Sequence, residues 1–212
     1  MPRGTACLPL LPARPSRRWY GVLRKAFRGV SPPGTESIIS VNGGYLLRAE
    51  PDEVDLLHTR ELAARAHRQR DQGALLDAAA NFQSALALWR GQPFEGIQSA
   101  ALEAEAHQLQ MERVAILVDK AGAELTVGRS GETAAWLPAC VADDPLNEDL
   151  RFLEMLALYR AGRRSDALRS YRDAHQVMTK ELGLEPAQRL QELHQRILTN
   201  DPVLDGPDGR PC

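Results

Sequence analysis

Few side chains here have the types and spacing that chemistry needs. Glu103 and His107 stand four residues apart, which puts both on one helical face, but two ligands do not make a metal site. His58, His67, His175 and His194 are scattered. Gly128-Arg-Ser-Gly131 resembles the turn that presents a nucleophilic serine, but its second glycine comes one place early. It also follows a helical pattern rather than a strand, so it reads as an inter-helix turn. Asp143 and Asp144 precede Pro145 and read as turn residues. Cys140 takes a small-residue packing position, which suits a buried, inert thiol. There is no GxxxxGK[ST], GxGxxG or HExxH. The expectation is binding rather than catalysis, with no metal and no cofactor.

Charge is the stronger signal. Residues 1–48 carry eight Arg or Lys against Glu36 alone, while the whole chain of 212 residues has a net charge of −2. The first 48 residues are thus at +7 and the rest at −9. A basic head on an acidic body calls for an anionic partner at one end. The basic residues are Arg3, Arg14, Arg17, Arg18, Arg24, Lys25, Arg28 and Arg48, although a basic leader with no partner would look the same. Three cysteines, Cys7, Cys140 and Cys212, build no disulfide framework, and no apolar run is long enough to span a bilayer. The expected location is the cytoplasm, with no membrane partner.

The elements that must hold these residues follow from local pattern. Apolar content is 43% but aromatics are only 5%, a bias towards Ala- and Leu-rich helix. Residues 1–18 hold Pro2, Pro9, Pro12 and Pro15 and read as a disordered leader. Trp19 to Phe27 can form a short helix, stopped by Gly29, Pro32 and Pro33. Ser37 to Arg48 is β-rich on both sides of Asn42-Gly43, a hairpin signal because both turn residues need positive φ. From Asp52 onward seven helices are expected. They cover 52–70 with Asp52 as N-cap, 73–90, 99–127, 131–142, 147–161, 164–181, and 186–199 with Pro186 in the first turn. Residues 203–212 read as a disordered tail.

A repeat underlies the helices. Gly162, Ala167, Tyr171 and Ala174 follow the small–small–aromatic–small pattern of a tetratricopeptide repeat. Gly128, Thr133, Leu137 and Cys140 have the same offsets 34 residues earlier, and Gly73, Ala78, Phe82 and Ala85 repeat them again. Each glycine should make the turn inside a helix pair, and the small residues should let helices approach. One pair cannot bury its apolar face alone, so the pairs must stack.

Leu156-Ala-Leu-Tyr-Arg-Ala-Gly-Arg163, with Ala167, Tyr171 and Glu181-Leu-Gly-Leu-Glu-Pro186, resembles the bacterial transcriptional activator domain. Leu86-Ala-Leu-Trp-Arg-Gly91 and Gly44-Tyr-Leu-Leu47 fit the same family, that of the Streptomyces antibiotic regulatory proteins and AfsR-type regulators. The resemblance covers about residues 19–202. It implies an OmpR-type winged helix-turn-helix that reads promoter DNA, followed by a tetratricopeptide-like domain that self-associates and meets RNA polymerase. It also implies activation of a secondary-metabolite gene cluster. On this basis residues 19–50 form a partial winged helix and 51–202 the activator domain.

Val22 to Phe27 then resembles the end of a recognition helix, and Ile38 to Arg48 the wing. The leading sheet, two helices and the N-terminal half of the recognition helix have no counterpart. That half makes the base contacts in helix-turn-helix proteins, so phosphate attraction is the binding expected. Arg24, Lys25 and Arg28 would lie on the remnant helix, Arg17 and Arg18 on the DNA backbone, and Asn42 at the wing tip, where turn geometry alone also accounts for it. The fold expected is mainly α, stacked helix pairs with one N-terminal helix and a β-hairpin. Its function is transcription regulation, with promoter DNA, RNA polymerase subunits and a second copy as partners. The alternative is a protein-interaction module without sequence-specific DNA binding. A small-molecule sensor has no pocket residue in its favour.

Overall fold

The computed structural model describes residues 6–10, 21–22, 25, 38–41, 44–49 and 53–205. The chain divides into two compact units, residues 1–61 and 62–212, with the division falling inside one helix.

The first unit holds a three-stranded antiparallel sheet in the order β1-β3-β2. β2 (Ile38–Val41) and β3 (Gly44–Ala49) pair with Val41 opposite Gly44, which leaves the two-residue connection that the Asn-Gly pair calls for. β1 (Ala6–Leu10) runs along the other side of β3, from Ala6 opposite Ala49 to Leu10 opposite Tyr45. Within the leader expected to be disordered over residues 1–18, residues 6–10 are thus a strand, and the others lie outside the described residues. Proline bars a helix there, but an edge strand accepts it, because one side of such a strand has no ladder to feed. Gly21, Val22 and Lys25 are helical, while Asp52 lies outside the described residues.

Seven helices follow: α1 (Asp55–Asp71), α2 (Leu75–Leu86), α3 (Ala100–Thr126), α4 (Ser130–Asp143), α5 (Glu148–Arg160), α6 (Arg164–Leu182) and α7 (Gln188–Leu198). The repeat glycines behave alike. Gly73, Gly128 and Gly162 have φ of +79°, +81° and +74°, a left-handed conformation that costs an L side chain. Beyond each, the same wrapped-back bond closes the helix. Ala74, Arg129 and Arg163 donate their amides to the carbonyls of Gln69, Glu124 and Leu158 at 2.8, 2.9 and 2.8 Å. The chain then reverses into the second helix of the pair.

The other repeat positions carry the packing. Ala78, Thr133 and Ala167 are fully buried, as are Phe82, Leu137, Ala85 and Ala174. Tyr171 and Cys140 are half-buried, so at Cys140 the expectation of a buried thiol is met only in part. Helix α2 packs on α3, α4 and α6 both pack on α5, and α7 lies against α5 and α6. The core has two parts. Leu62, Ala63, Ala66, Phe82 and Ile116 form one, and Leu117, Leu137, Leu150, Met155, Leu190 and Ile197 are in the other. Leu86 packs against both.

Several boundaries differ from the sequence reading, and α1 begins at Asp55 rather than at 52 and α2 at Leu75 rather than at 73. α2 stops at Leu86 rather than 90, because the chain tightens into turns in which Leu88 and Trp89 bond back three residues. Pro186 precedes the cap of α7 instead of occupying its first turn, and it is buried there. The tail expected from residue 203 is ordered through Asp205. Pro202–Leu204 form a 3₁₀ turn that Asp201 caps by accepting the Val203 amide at 3.0 Å, and Leu204 enters the core. Residues 206–212 lie outside the described residues.

Candidate functional site

The residues proposed to meet DNA fall mostly outside the described part. Arg17, Arg18, Arg24, Arg28 and Asn42 all lie there. Lys25 is helical and exposed, and Arg48 on β3 is exposed as well. Ile38 and Ala49 are buried, so the strands show the one-sided burial of a half-covered sheet.

The second unit carries a groove that the sequence reading did not anticipate. The first helix of each pair, α1, α3 and α5, contributes to it together with α7. It consists of two adjoining hollows of about 370 and 410 Å³ that share Val118, Asp119 and Asp149. Ion pairs form its walls. Asp119 accepts from Arg70 Nη1 at 2.6 Å and faces His67 Nε2 at 2.8 Å, which ties α1 to α3. Asp149 accepts from Arg189 Nη1 at 2.9 Å, and the Arg189 guanidinium lies 3.9 Å over the Phe152 ring, which ties α5 to α7. These partners are 40 to 52 residues apart in sequence, so no local pattern could link them.

Beneath the groove, polar groups fix how the helices stack. Lys120 and Glu124 are 3% and 5% exposed and pair at 2.9 Å, one helical turn apart on α3. Thr133 Oγ1 and Trp136 Nε1 on α4 donate to the second Glu124 oxygen at 3.0 and 2.9 Å. The Lys120 ammonium sits 3.6 Å from the centre of the Trp136 ring. On α5, Arg160 donates to the carbonyls of Leu125 and Leu204 at 3.1 and 2.8 Å, satisfying the last turn of α3. Arg164 does the same for Ile197 and Leu198 at the end of α7.

Nothing in this arrangement activates a nucleophile. Burial pushes the Cys140 thiol up, away from the reactive thiolate. Ser130, the serine of the rejected elbow, is the buried first residue of α4 after a left-handed glycine turn. Glu103 and His107 lie on the exposed first half of α3, and among the described residues no cluster of three His, Cys, Asp or Glu comes together. Tyr171 stacks on His194 with ring centres 3.9 Å apart. Burial holds the His194 imidazole below its ordinary value and pushes the Tyr171 phenol up. Among the described residues no helix is long and apolar enough to cross a membrane.

Stacked helix pairs closed by repeated glycine turns, with ion-paired walls around a groove, define a tetratricopeptide-like repeat scaffold. Residues 54–198 match the family model of the bacterial transcriptional activator domain, and the chain belongs to that family of transcriptional regulators. It is 34% identical to the regulatory protein AfsR of Streptomyces griseus over 84% of its length, and spans 18% of that protein. It is also 34% identical to the regulatory protein DnrI of Streptomyces peucetius, over 83% of this chain and 66% of DnrI. The solved structure of Mycobacterium tuberculosis EmbR, in complex with a low-affinity phosphopeptide, superposes with a TM-score of 0.77 at 27% identity. That match covers 86% of this chain and 48% of EmbR. The fold expected from sequence is the fold found, with a third strand added to the hairpin.

Proposed function

We propose that this chain regulates transcription by joining a basic N-terminal part, which meets promoter DNA, to a helical repeat body that meets proteins. The observation that carries the reading is the order of parts. A basic stretch with a helix and hairpin precedes the 145 residues that match the activator domain. In this reading residues 19–50 are the DNA-facing part and 51–202 the activator part. Arg17 and Arg18 meet the DNA backbone, Arg24, Lys25 and Arg28 line the helix that faces it, and Asn42 stands at the wing tip. Helical repeats self-associate and contact RNA polymerase. The likeness to AfsR and DnrI supports activation of a secondary-metabolite gene cluster, with the cytoplasm as the place of action.

Fluorescence anisotropy on a duplex from the neighbouring gene cluster's promoter and on a scrambled duplex tests this. With about six phosphates met, affinity should fall roughly a thousandfold between 50 and 200 mM salt. Binding to both duplexes at 50 mM that falls away by 200 mM is the expected result. A promoter preference that survives at 200 mM would show that the N-terminal part reads sequence, and no binding to either duplex at 50 mM would refute the DNA-facing assignment. The ion-paired groove favours a second reading, a protein-interaction module, and that outcome would leave it standing.

A further inference from the structure

The long helix α3 turns one face into the groove. Met111, Val114, Val118 and Gly122 follow one another at helical spacing along it, and Met111 is 55% exposed. The hollow over Met111, Val114 and Val118 is edged by Asp119, Asp144 and Asp149 with no Lys or Arg among the described residues that line it, while the hollow that holds Gly122 is lined by Arg70 and Arg189, the partners of Asp119 and Asp149. In the first, Asp144 accepts a hydrogen bond from the uncharged Asn147 amide at 3.0 Å, so its charge is not cancelled by that partner. Asp149 engages Arg189 through one oxygen, on the side of the other hollow.

Gly122 adds an independent observation. A glycine inside a helix costs stability relative to alanine. Crowding would justify it, but a Cβ built on Gly122 meets nothing within 4 Å. The packing of the described residues therefore gives no reason for glycine at this point of the groove floor. A bare helix backbone does allow another backbone to approach closely.

We infer that the groove along α3 receives a short segment of a partner protein, with an apolar side chain seated over Val114 and Val118 and Lys or Arg beside it facing Asp144 and Asp149. The segment's backbone passes over Gly122. This rests on the reading of the helical body as a protein-binding part and names the chemistry of what it binds. Asp144, whose printed partner is an uncharged amide, favours a cationic over an anionic side chain at that end of the groove.

Two fluorescein-labelled 12-residue peptides serve as probes, alike in their two leucines and differing only in four Lys or four Glu. Titrated with the full chain, the Lys peptide should bind at least tenfold more tightly. Asp144→Lys with Asp149→Lys should reverse that preference, which a variant that merely unfolded could not do. Gly122→Ala should raise the melting temperature while weakening the Lys peptide at least threefold. Equal binding of both peptides, or unchanged binding by Gly122→Ala, would overturn the inference. So would a Val118→Asp chain that sediments as monomer where the parent is a dimer, since the groove would then hold a second copy. If neither peptide binds but the chain still retains RNA polymerase, the groove assignment fails alone. If retention is absent too, the interaction reading fails with it.

Discussion

Replacing Glu124 by alanine tests whether a buried charge cluster holds α3 and α4, the second tetratricopeptide-like pair, together. Glu124 faces Lys120 at 2.9 Å, and both are nearly inaccessible. Removing one partner of a buried ion pair costs about 3–5 kcal/mol, because the other charge is left stranded. Two features lower that figure here. The Trp136 ring stays 3.6 Å from the ammonium, an attraction of about 0.5–2 kcal/mol. Thr133 keeps a second acceptor in the Arg129 carbonyl at 3.0 Å. The net cost of Glu124→Ala should be about 2–4 kcal/mol, a large share of the roughly 5–15 kcal/mol that a domain has. Urea unfolding followed by circular dichroism measures it. The companion variant Lys120→Met with Glu124→Leu leaves no stranded charge and should fall within about 1–2 kcal/mol of the parent. A Glu124→Ala cost below 1 kcal/mol, or a double variant as damaged as the single, would refute the reasoning.

Gly128→Ala forces a side chain into φ +81° and should lose about 1–2 kcal/mol by the same unfolding assay, with no change in the urea slope. Leu137→Ala opens a hole at a fully buried repeat position and should cost about 2–5 kcal/mol; a value under 1 kcal/mol would place Leu137 outside the core. The His194 imidazole is held below its ordinary value in the fold, so the unfolded chain takes up its proton first as pH falls. Stability should therefore decline below about pH 6.5, and His194→Phe, which keeps a ring on Tyr171, should flatten that slope in thermal melts across pH 5 to 7.5.

Local chemistry made much of this fold legible from residues alone. Helix ends depend on the glycines and caps beside them, so Gly73, Gly128 and Gly162 marked three turns that share one geometry. Small residues at fixed offsets from those glycines marked the positions that are buried, because close helix approach requires them. The Asn-Gly pair placed the hairpin for the same local reason. Gly122, inside a strong helical pattern, is a signal that the sequence reading passed over, since an interior glycine calls for a reason.

What tertiary structure decided were the contacts whose partners are distant in sequence. Asp119 is one carboxylate among many until folding brings His67 and Arg70 to it from another helix. Arg160 looks like any exposed helical arginine, yet it closes the end of α3 and holds the turn around Leu204, which is why a segment that reads as disordered is ordered. β1 is a strand because β3 offers it an edge, which no property of Ala6–Leu10 alone could announce. Periodicity and turn residues fix where helices begin and end. The pairing of charges and the ordering of weak segments depend on neighbours that only the packed chain supplies.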